Sequence, residues 1–430
     1  MEKTYGFDTL QLHAGWRGDP ATGAHAVPLY QTSAYLFESA EDAAMQFAGE
    51  RGGSIYTRIK NPTVSVLEER LCALENGYAT TCFASGMAAL LALTLTLAEP
   101  GDEIVALSSL YGGSYSLLFK ELEHRYGVKA RCVDGEDLGA LEACINERTR
   151  MLYFESVANP LASIPDIRAL AALAREQGLP LVCDNTFCTP WLFDAGANGV
   201  DFTLHSMTKY LCGSGTSLGG SVTDLGRFDF YGSPRFPQFN RPDEAHHGRV
   251  YAALGRDAFS ARLRDYWLHD AGFSLSPFNA YMILIGMQTL SLRMERHVKN
   301  ADAVARFLAG SPHVLSVSYA RLPESPYHAR AARHMPRGVG GVFTFRIRGG
   351  LEAGRRFINA LKLFSLVANV GDARSLVVHP ASTTHSPLSP EELAACGIAP
   401  DLIRLSIGTE DAADLIADLE QALAASQATA

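Results

Sequence analysis

The sequence lacks any apolar run long enough to cross a lipid bilayer. Its best candidate, 88–98, is shorter than the ~18 or more apolar residues that a membrane span needs, and Thr94 and Thr96 interrupt it. The first ten residues contain charged side chains and no apolar core, so they do not resemble a secretory signal. We therefore expect no membrane association and a cytoplasmic location.

Clusters of positive charge are also absent. Lys and Arg number 37 against 46 Asp and Glu, which gives a formal net charge of -9 at pH 7. Because duplex binding needs clustered Lys and Arg, this balance argues against nucleic acid as a partner. The eight cysteines form no CxxC pair, and Cys183 and Cys188 have no matching pair of ligands nearby. We therefore expect reduced thiols and no metal site.

Apolar residues are abundant enough for more than one core. They make up 47% of the 430 residues, and a chain of this length is expected to form two or three domains. Residues 1–62 are punctuated by Gly, Pro and polar residues, which predicts an irregular arm that packs against another surface, such as that of a neighbouring subunit. We place a large domain at 63–290 and a smaller C-terminal domain at 291–430.

From residue 63 onward, short apolar runs alternate with stretches of helical spacing. The predicted strands are 79–84, 103–107, 128–133, 151–154, 181–184 and 202–205, and the predicted helices are 64–74, 86–98, 115–126, 138–145 and 164–177. This alternation is typical of an α/β domain with a mostly parallel sheet. Ligands bind such sheets at the carboxyl ends of the strands.

Two later regions have different patterns. Residues 225–275 are rich in Phe, Pro, Arg and His, which indicates an inserted segment. A long helix is predicted over 276–309, with a bend near Gly286 and an end at Gly310. Beyond it, a smaller α+β domain is predicted from strands at 314–319, 341–347 and 402–407 and helices at 351–361 and 412–425.

Two of the predicted strands end in residues with a joint chemical use. Asp184 ends the strand 181–184, and Lys209 follows the strand 202–205 in the sequence Ser-Met-Thr-Lys. A lone strand-end Asp or a lone Lys is usually an ordinary exposed residue. Together at one sheet edge, they match the needs of pyridoxal phosphate, which takes a lysine amine for its Schiff base and a carboxylate at its pyridinium nitrogen.

The phosphate of such a cofactor needs its own site. Ser85-Gly86-Met87 joins a predicted strand to a predicted helix, and backbone N–H groups at a helix N-terminus bind phosphate. The hydroxyls of Ser206 and Thr208 are natural additional donors. Tyr111 follows another strand and is placed to stack on a flat ring. Each signal is weak alone, but their combination favours a cofactor site.

In these motifs the chain resembles the Cys/Met-metabolism family of fold-type-I pyridoxal-phosphate enzymes over nearly all its length. The matching motifs are Tyr56-Thr57-Arg58, Asn61-Pro62-Thr63, Ser85-Gly86-Met87-Ala88, Tyr111-Gly112-Gly113, Glu155-Ser156, Asn159-Pro160, Asp184-Asn185-Thr186-Phe187, Ser206-Met207-Thr208-Lys209, Gly371-Asp372-Ala373-Arg374-Ser375-Leu376, the run from His379 through Thr384 to His385, and Arg404-Leu405-Ser406-Ile407-Gly408. The resemblance implies an aspartate-aminotransferase-like fold with a large cofactor domain and a smaller α+β domain.

The resemblance also implies cofactor roles for individual residues. Lys209 would carry the Schiff base and move protons, Asp184 would pair with the pyridine nitrogen, and Tyr111 would stack on the ring. The phosphate would be held by Gly86, Met87, Ser206 and Thr208.

Further implied roles concern the substrate and the assembly. Arg404 would bind the α-carboxylate of an amino-acid substrate, assisted by Ser375 and Asn159. Tyr56 and Arg58 would reach the cofactor phosphate of the neighbouring subunit, which would account for the long arm. The family reading implies a homotetramer built from dimers that share active sites.

Within the family, the 225–275 segment and Ser276-Pro277-Phe278-Asn279-Ala280 are similar to the O-acetylhomoserine sulfhydrylases. Three segments depart from that branch: Met87 stands where many sulfhydrylases have Gln, Cys212-Gly213-Ser214-Gly215 replaces Gly-Gly-His-Gly, and Gln288 replaces Glu. The implied activity is γ-replacement on O-acetyl-L-homoserine by sulfide or a thiol. Alternatives are a methionine or homocysteine γ-lyase, use of O-succinylhomoserine or an unusual nucleophile, and a catalytically silent homologue.

Overall fold

The computed structural model describes residues 5–159, 161–383, 389, 391, 393 and 397–427. Pro160, Thr384 and His385 of the motifs above lie outside these residues. No helix among the described residues is long and apolar enough to cross a membrane.

The large domain is built on one twisted sheet. Its strands are β1 (Ala79–Phe83), β2 (Glu103–Leu107), β3 (Lys129–Val133), β4 (Thr149–Glu155), β5 (Leu181–Asp184), β6 (Phe202–Ser206) and β7 (Gly220–Asp224). Their order is β1-β7-β6-β5-β4-β2-β3, in which β3, β2, β4, β5 and β6 run parallel and β7 pairs antiparallel with β6 and β1. The predicted α/β architecture of fold type I is therefore confirmed.

Helices cover both faces of this sheet. The helices before residue 264 are α1 (Phe7–His13) and α2 (Ala40–Phe47) in the N-terminal arm, followed by α3 (Pro62–Leu74), α4 (Gly86–Leu97), α5 (Gly112–Ser116), α6 (Leu122–Tyr126), α7 (Leu138–Cys144), α8 (Ile167–Glu176), α9 (Thr189–Leu192), α10 (Pro237–Asn240) and α11 (Ala258–Leu263). A π-helical turn, Leu117–Glu121, joins α5 to α6. Successive residues of β2 enter different hydrophobic clusters, Val105 one and Ala106 the other, because side chains alternate across a strand.

The Phe-rich segment 225–275 forms much of the second cluster. Phe230 stacks on Phe239 with ring centroids 4.1 Å apart, and Phe259 packs against Phe202 of β6 at 4.3 Å. The segment therefore covers one face of the sheet with aromatic side chains, which explains its composition.

The predicted long helix is in fact two helices, α12 (Pro277–Met287) and α13 (Leu290–Ala309). Thr289 between them has non-helical φ and ψ of -119° and 18°. The Arg293 guanidinium donates to the Gly286 carbonyl and to the Tyr210 carbonyl, at 2.8 Å each. The carbonyls at a helix end need such external donors, so Arg293 stabilises the break.

Strand β7 was not expected from the sequence. Gly-Ser-Val-Thr-Asp contains a single large apolar residue, although its burial is complete. A Cβ at Gly220 would lie 2.0 Å from the Ser85 carbonyl, so only glycine allows this close approach of the two backbones. Non-local packing, rather than β propensity, places this strand.

The smaller domain contains a second sheet with the order β10-β11-β12-β9-β8. Its strands are β8 (Val314–Ser318), β9 (Val342–Ile347), β10 (Ser365–Leu366), β11 (Leu376–Val378) and β12 (Leu402–Ser406), and its helices are α14 (His328–His334), α15 (Gly350–Ala360) and α16 (Ala412–Gln427). One hydrophobic cluster continues from the large sheet through α13 into this sheet. The α+β character is as predicted, while the boundaries at 62 and 290 remain predictions.

Candidate active site

A cavity of about 530 Å³ lies at the carboxyl ends of the parallel strands. Nine of the predicted site residues line it: Gly86, Met87, Tyr111, Asn159, Asp184, Ser206, Thr208, Lys209 and Arg404. The sheet positions them because neighbouring parallel strands end at one edge.

Lys209 lies just beyond β6, with its amine inside the cavity. Its Nζ donates to Oδ1 of Asn369 at 2.6 Å. Burial, with a smaller contribution from the nearby Arg404 guanidinium, lowers the pKa of the Lys209 amine to about 8. A substantial neutral fraction near physiological pH makes this amine both a nucleophile and a base.

Asp184 ends β5 and lies opposite Glu155, its register partner at the end of β4. Oδ1 of Asp184 accepts from the Thr186 N–H at 3.0 Å. Among the described residues, Asp184 has no ion pair with a Lys or Arg side chain. Burial raises its pKa because the charged form lacks solvent. A buried carboxylate without a cation fits the protonated ring nitrogen of pyridoxal phosphate.

The N-terminus of α4 forms a candidate phosphate site. The Ser85 hydroxyl accepts from the Ala88 N–H at 3.1 Å, which begins the helix. The N–H groups of Gly86 and Met87 have no intrahelical partner at this end, so they are available to an anion. A Cβ on Gly86 would lie 2.8 Å from Cβ of Ser206, so glycine permits this close packing.

The hydroxyl of Thr208 lines the same wall. It accepts from the Gly219 N–H at 3.1 Å and lies 3.3 Å from the Gly219 carbonyl. The hydroxyl hydrogen can therefore turn either to that carbonyl or to a phosphate. The residues present fit the phosphate group of the cofactor.

Arg404 is the other cation of the cavity wall. Nη1 donates to Oδ1 of Asn159 at 3.0 Å, and Nη2 donates to the Asn369 carbonyl at 3.3 Å. Burial lowers the pKa of Arg404 to about 10. Among the described residues, no carboxylate pairs with it. A buried guanidinium without a counter-ion is costly, and a substrate carboxylate would supply the missing charge.

Three predicted residues do not reach this cavity. The Ser375 hydroxyl donates to Glu410 at 3.0 Å and accepts from the Gly408 N–H at 2.8 Å, so the structure gives no support to its predicted substrate contact. Tyr56 and Arg58 lie together outside their own chain's cavity, with the guanidinium 5.6 Å from the tyrosine ring. Their predicted role in a neighbouring subunit stays a prediction.

The structure adds two residues that sequence reasoning missed. Asn369 contacts both cations, Lys209 and Arg404, and its only sequence signal is its place just before the Gly371-Asp372 motif. Glu155 was part of a matching motif without a role, and its carboxylate lines the cavity.

The departures at 212–215 and 288 lie outside the cavity wall. A Cβ at Gly213 would lie 2.1 Å from Nη1 of Arg293, and one at Gly215 would lie 2.3 Å from Oδ2 of Asp372. Gly213 therefore packs closely against Arg293, while Ser214 and Gly215 are exposed outside the cavity. Only Met87 among the departures lines the cavity.

Known proteins share this whole architecture. The family model described as Cys/Met metabolism PLP-dependent enzyme matches residues 8–424. O-acetyl-L-homoserine sulfhydrylase 1 of Thermus thermophilus is 46% identical over 97% of this chain and 100% of its own length. Homocysteine synthase of Schizosaccharomyces pombe is 43% identical over 97% of this chain and 98% of its own.

A solved structure is also similar. The metY product of Campylobacter jejuni, which carries N'-pyridoxyl-lysine-5'-monophosphate, has a TM-score of 0.95 and 39% identity, with 98% of this chain and 100% of that chain covered. The cofactor-lysine adduct of that structure agrees with a lysine in the cavity described above. The chain therefore belongs to the Cys/Met-metabolism family of pyridoxal-phosphate-dependent enzymes.

Proposed function

We propose that the protein catalyses γ-replacement on O-acetyl-L-homoserine, with sulfide or a thiol as nucleophile. The products are acetate and L-homocysteine, or methionine when the thiol is methanethiol. The observation that carries the proposal is that one cavity contains both the Lys209 amine and the Arg404 guanidinium, which has no carboxylate partner among the described residues. The similarity to sulfhydrylases over nearly the full length supports this substrate.

The cavity residues divide the work of the reaction. Bound pyridoxal phosphate supplies an electron sink for charge that develops at the substrate α-carbon. Arg404 holds the α-carboxylate, and Lys209 takes the α-proton on its neutral Nζ. A proton is then lost from Cβ, and the electron pair of that C–H bond forms a Cβ–Cγ double bond as the Cγ–O bond breaks and acetate leaves with its electron pair. The sulfur nucleophile adds to Cγ, and protons return to Cβ and Cα, the latter from the Lys209 amine. Asn369 accepts a hydrogen bond from the lysine amine while that amine is free.

The cavity wall favours a neutral acyl group. Among its described residues, Lys209 and Arg404 are the cations, and both have tasks in the reaction. Much of the remaining wall is apolar, with Leu90, Val157, Phe187, Leu218 and Val370. An acetyl group fits this surface, whereas the extra carboxylate of a succinyl ester would find no further cation among the described residues that this chain contributes to the wall.

A product assay tests the proposed function. The cofactor-loaded protein receives O-acetyl-L-homoserine with and without sulfide, and then O-succinyl-L-homoserine. We expect homocysteine only with sulfide, and much faster from the acetyl ester. Keto acid and ammonia without sulfide would instead identify a γ-lyase, and consumption of neither ester would reject the proposal.

The pKa of Lys209 predicts how cofactor capture depends on pH. Cofactor-free protein mixed with pyridoxal phosphate should develop visible absorbance faster as the pH rises to about 8, with little gain above, because only the neutral amine attacks the aldehyde. Below this pKa, the rate should fall about tenfold per pH unit. Stopped-flow absorbance in amine-free buffers, with Nα-acetyl-lysine as reference amine, measures the midpoint. A midpoint equal to that of the reference would contradict the prediction.

We also propose that the N-terminal arm, residues 1–62, completes the active site of a second copy of the chain. Two such copies form a dimer, and two dimers form a homotetramer. Tyr56 is 41% exposed and Leu36 fully exposed, so this part of the arm presents apolar surface. Arg58 lies outside its own cavity although the resemblance assigns it to the phosphate.

Mixing two inactive variants tests this assembly. Lys209→Ala and Arg58→Ala subunits, unfolded and refolded together, should regain activity, because a hybrid dimer contains one site with neither change. At equal amounts, random pairing restores about a quarter of the sites. Separately refolded variants are the control, and a mixture no more active than their average would contradict shared sites.

A further inference from the structure

Glu155 has no task in the reaction described so far, although it lines the cavity. Glu155 is the last residue of β4 and is 6% exposed. Among the described residues, no Lys or Arg pairs with it. Burial and the neighbouring Asp184 raise its pKa well above the usual carboxyl value. The raised pKa favours the protonated form, and a carboxyl group in either form can accept hydrogen bonds on both of its oxygens.

The two oxygens of the Glu155 carboxyl group accept hydrogen bonds from two separate backbone segments. One oxygen accepts from the Tyr111 N–H at 2.7 Å, and the other accepts from the Asn159 N–H at 3.0 Å. Tyr111 lies in the loop after β2, and Asn159 lies in the loop after β4. One planar group thus fixes the separation of two loops at the carboxyl edge of the sheet.

One of these loops contributes to the proposed cofactor site, and the other contributes to the proposed substrate site. Tyr111 begins helix α5 and is the residue proposed to stack on the cofactor ring. The Asn159 side chain accepts from Nη1 of Arg404, the proposed carboxylate ligand. Glu155 is therefore bonded directly to Tyr111 on one side, and on the other side it is joined to Arg404 by two successive hydrogen bonds through Asn159.

We propose that Glu155 is a positioning residue, which holds the ring-stacking Tyr111 and the Asn159–Arg404 pair at a fixed distance from each other. The proposal rests on the proposed function only in taking an α-amino acid as the ligand of Arg404. Fixed spacing matters because reacting groups must be held within fractions of an ångström of their productive geometry. A glutamine has the same shape but only one acceptor oxygen, so it cannot accept both N–H groups.

Equilibrium binding of L-homoserine tests the proposal without requiring turnover. Homoserine carries the α-carboxylate and amine but no ester, and its binding to cofactor-loaded protein is followed by the cofactor absorbance. In Glu155→Gln we expect the homoserine Kd to rise about tenfold, as also in Asn159→Ala. The double variant should bind no more than about twofold worse than Asn159→Ala alone, because residues that act through one another are not additive.

The Kd of the cofactor distinguishes the effect of the Glu155–Tyr111 hydrogen bond from that of the Glu155–Asn159 hydrogen bond. It should rise in Glu155→Gln and stay unchanged in Asn159→Ala, because only Glu155 reaches Tyr111. Glu103→Gln is the matched control, since Glu103 is buried in β2 and bonded to Arg131, away from the cavity. It should alter the unfolding midpoint without changing either Kd.

Three results would overturn the proposal. The first is an unchanged homoserine Kd in Glu155→Gln, and the second is a homoserine Kd that rises about 100-fold in the double variant, the product of the two single effects. The third is a rise of the homoserine Kd in Glu103→Gln as large as that in Glu155→Gln. Should Glu155→Gln fail to fold, Glu155→Asp replaces it, because its shorter side chain withdraws the carboxylate from both N–H groups. Failure of the wild-type protein to convert O-acetylhomoserine would reject the proposed function alone, since homoserine binding still reports on the Arg404 clamp.

Discussion

Lys209→Ala is expected to abolish turnover, with a loss of at least ~10³-fold. The variant lacks the only amine that lines the described part of the cavity, so it can neither bind the cofactor covalently nor take the α-proton. The visible absorbance of the lysine-bound cofactor should disappear as well, while the protein stays folded because Lys209 contributes a single hydrogen bond to Asn369.

Lys299→Ala provides the matched control, because it removes an exposed lysine from α13. Its spectrum and turnover should equal those of the wild-type protein. Absorbance and turnover that persist in Lys209→Ala would show that another lysine holds the cofactor, and would remove Lys209 from the mechanism.

Arg404→Ala should raise the KM for the amino-acid substrate by about 100-fold or more. A charged hydrogen bond contributes ~1.5–3 kcal/mol, and a bidentate carboxylate contact loses two of them. The cofactor absorbance should remain, because Arg404 is assigned to the substrate and not to the ring. Arg404→Lys should recover only part of the loss, since an ammonium does not match the two carboxylate oxygens.

A second readout follows from the electrostatic repulsion between the two cations. The Arg404 charge contributes to the lowered pKa of Lys209, so its removal should move the pH midpoint of cofactor capture upward. Arg346→Ala is the control, because Arg346 pairs with Asp401 on the same small sheet but outside the cavity. An unchanged KM in Arg404→Ala would remove this residue as the carboxylate ligand.

The positions of site residues could be predicted from the sequence where a motif lies within a few residues of a strand end. Ser85-Gly86, Asp184 and Lys209 each follow a strand that its apolar run identifies, so their convergence on one edge follows from parallel pairing. The parallel strands of the large sheet were all predicted to within a few residues for the same reason. The inner strands β2, β4, β5 and β6 are almost completely buried, which favours apolar runs, whereas the edge strand β3 is only partly buried.

Features that depend on distant contacts were not predictable. Gly220 lies in β7 because it must pass close to Ser85, and Asn369 matters because it lies beside Lys209, 160 residues earlier. The hydroxyl of Ser375 is bound to Glu410, which no local pattern indicates. Each of these outcomes is set by packing between segments that the sequence alone does not place side by side.

The break between α12 and α13 limits how the two domains can move. Arg293 at the start of α13 bonds to the Tyr210 carbonyl, one residue beyond Lys209, and also to Gly286 and to the Thr289 hydroxyl at 3.3 Å. The bonds to Tyr210 and Gly286 join α13 to segments outside it, so a rotation of α13 about this break would have to release both from a half-buried guanidinium. The start of α13 is therefore tied to the backbone beside the proposed cofactor lysine, so a substitution of Arg293 would be transmitted to the cavity although Arg293 does not line it.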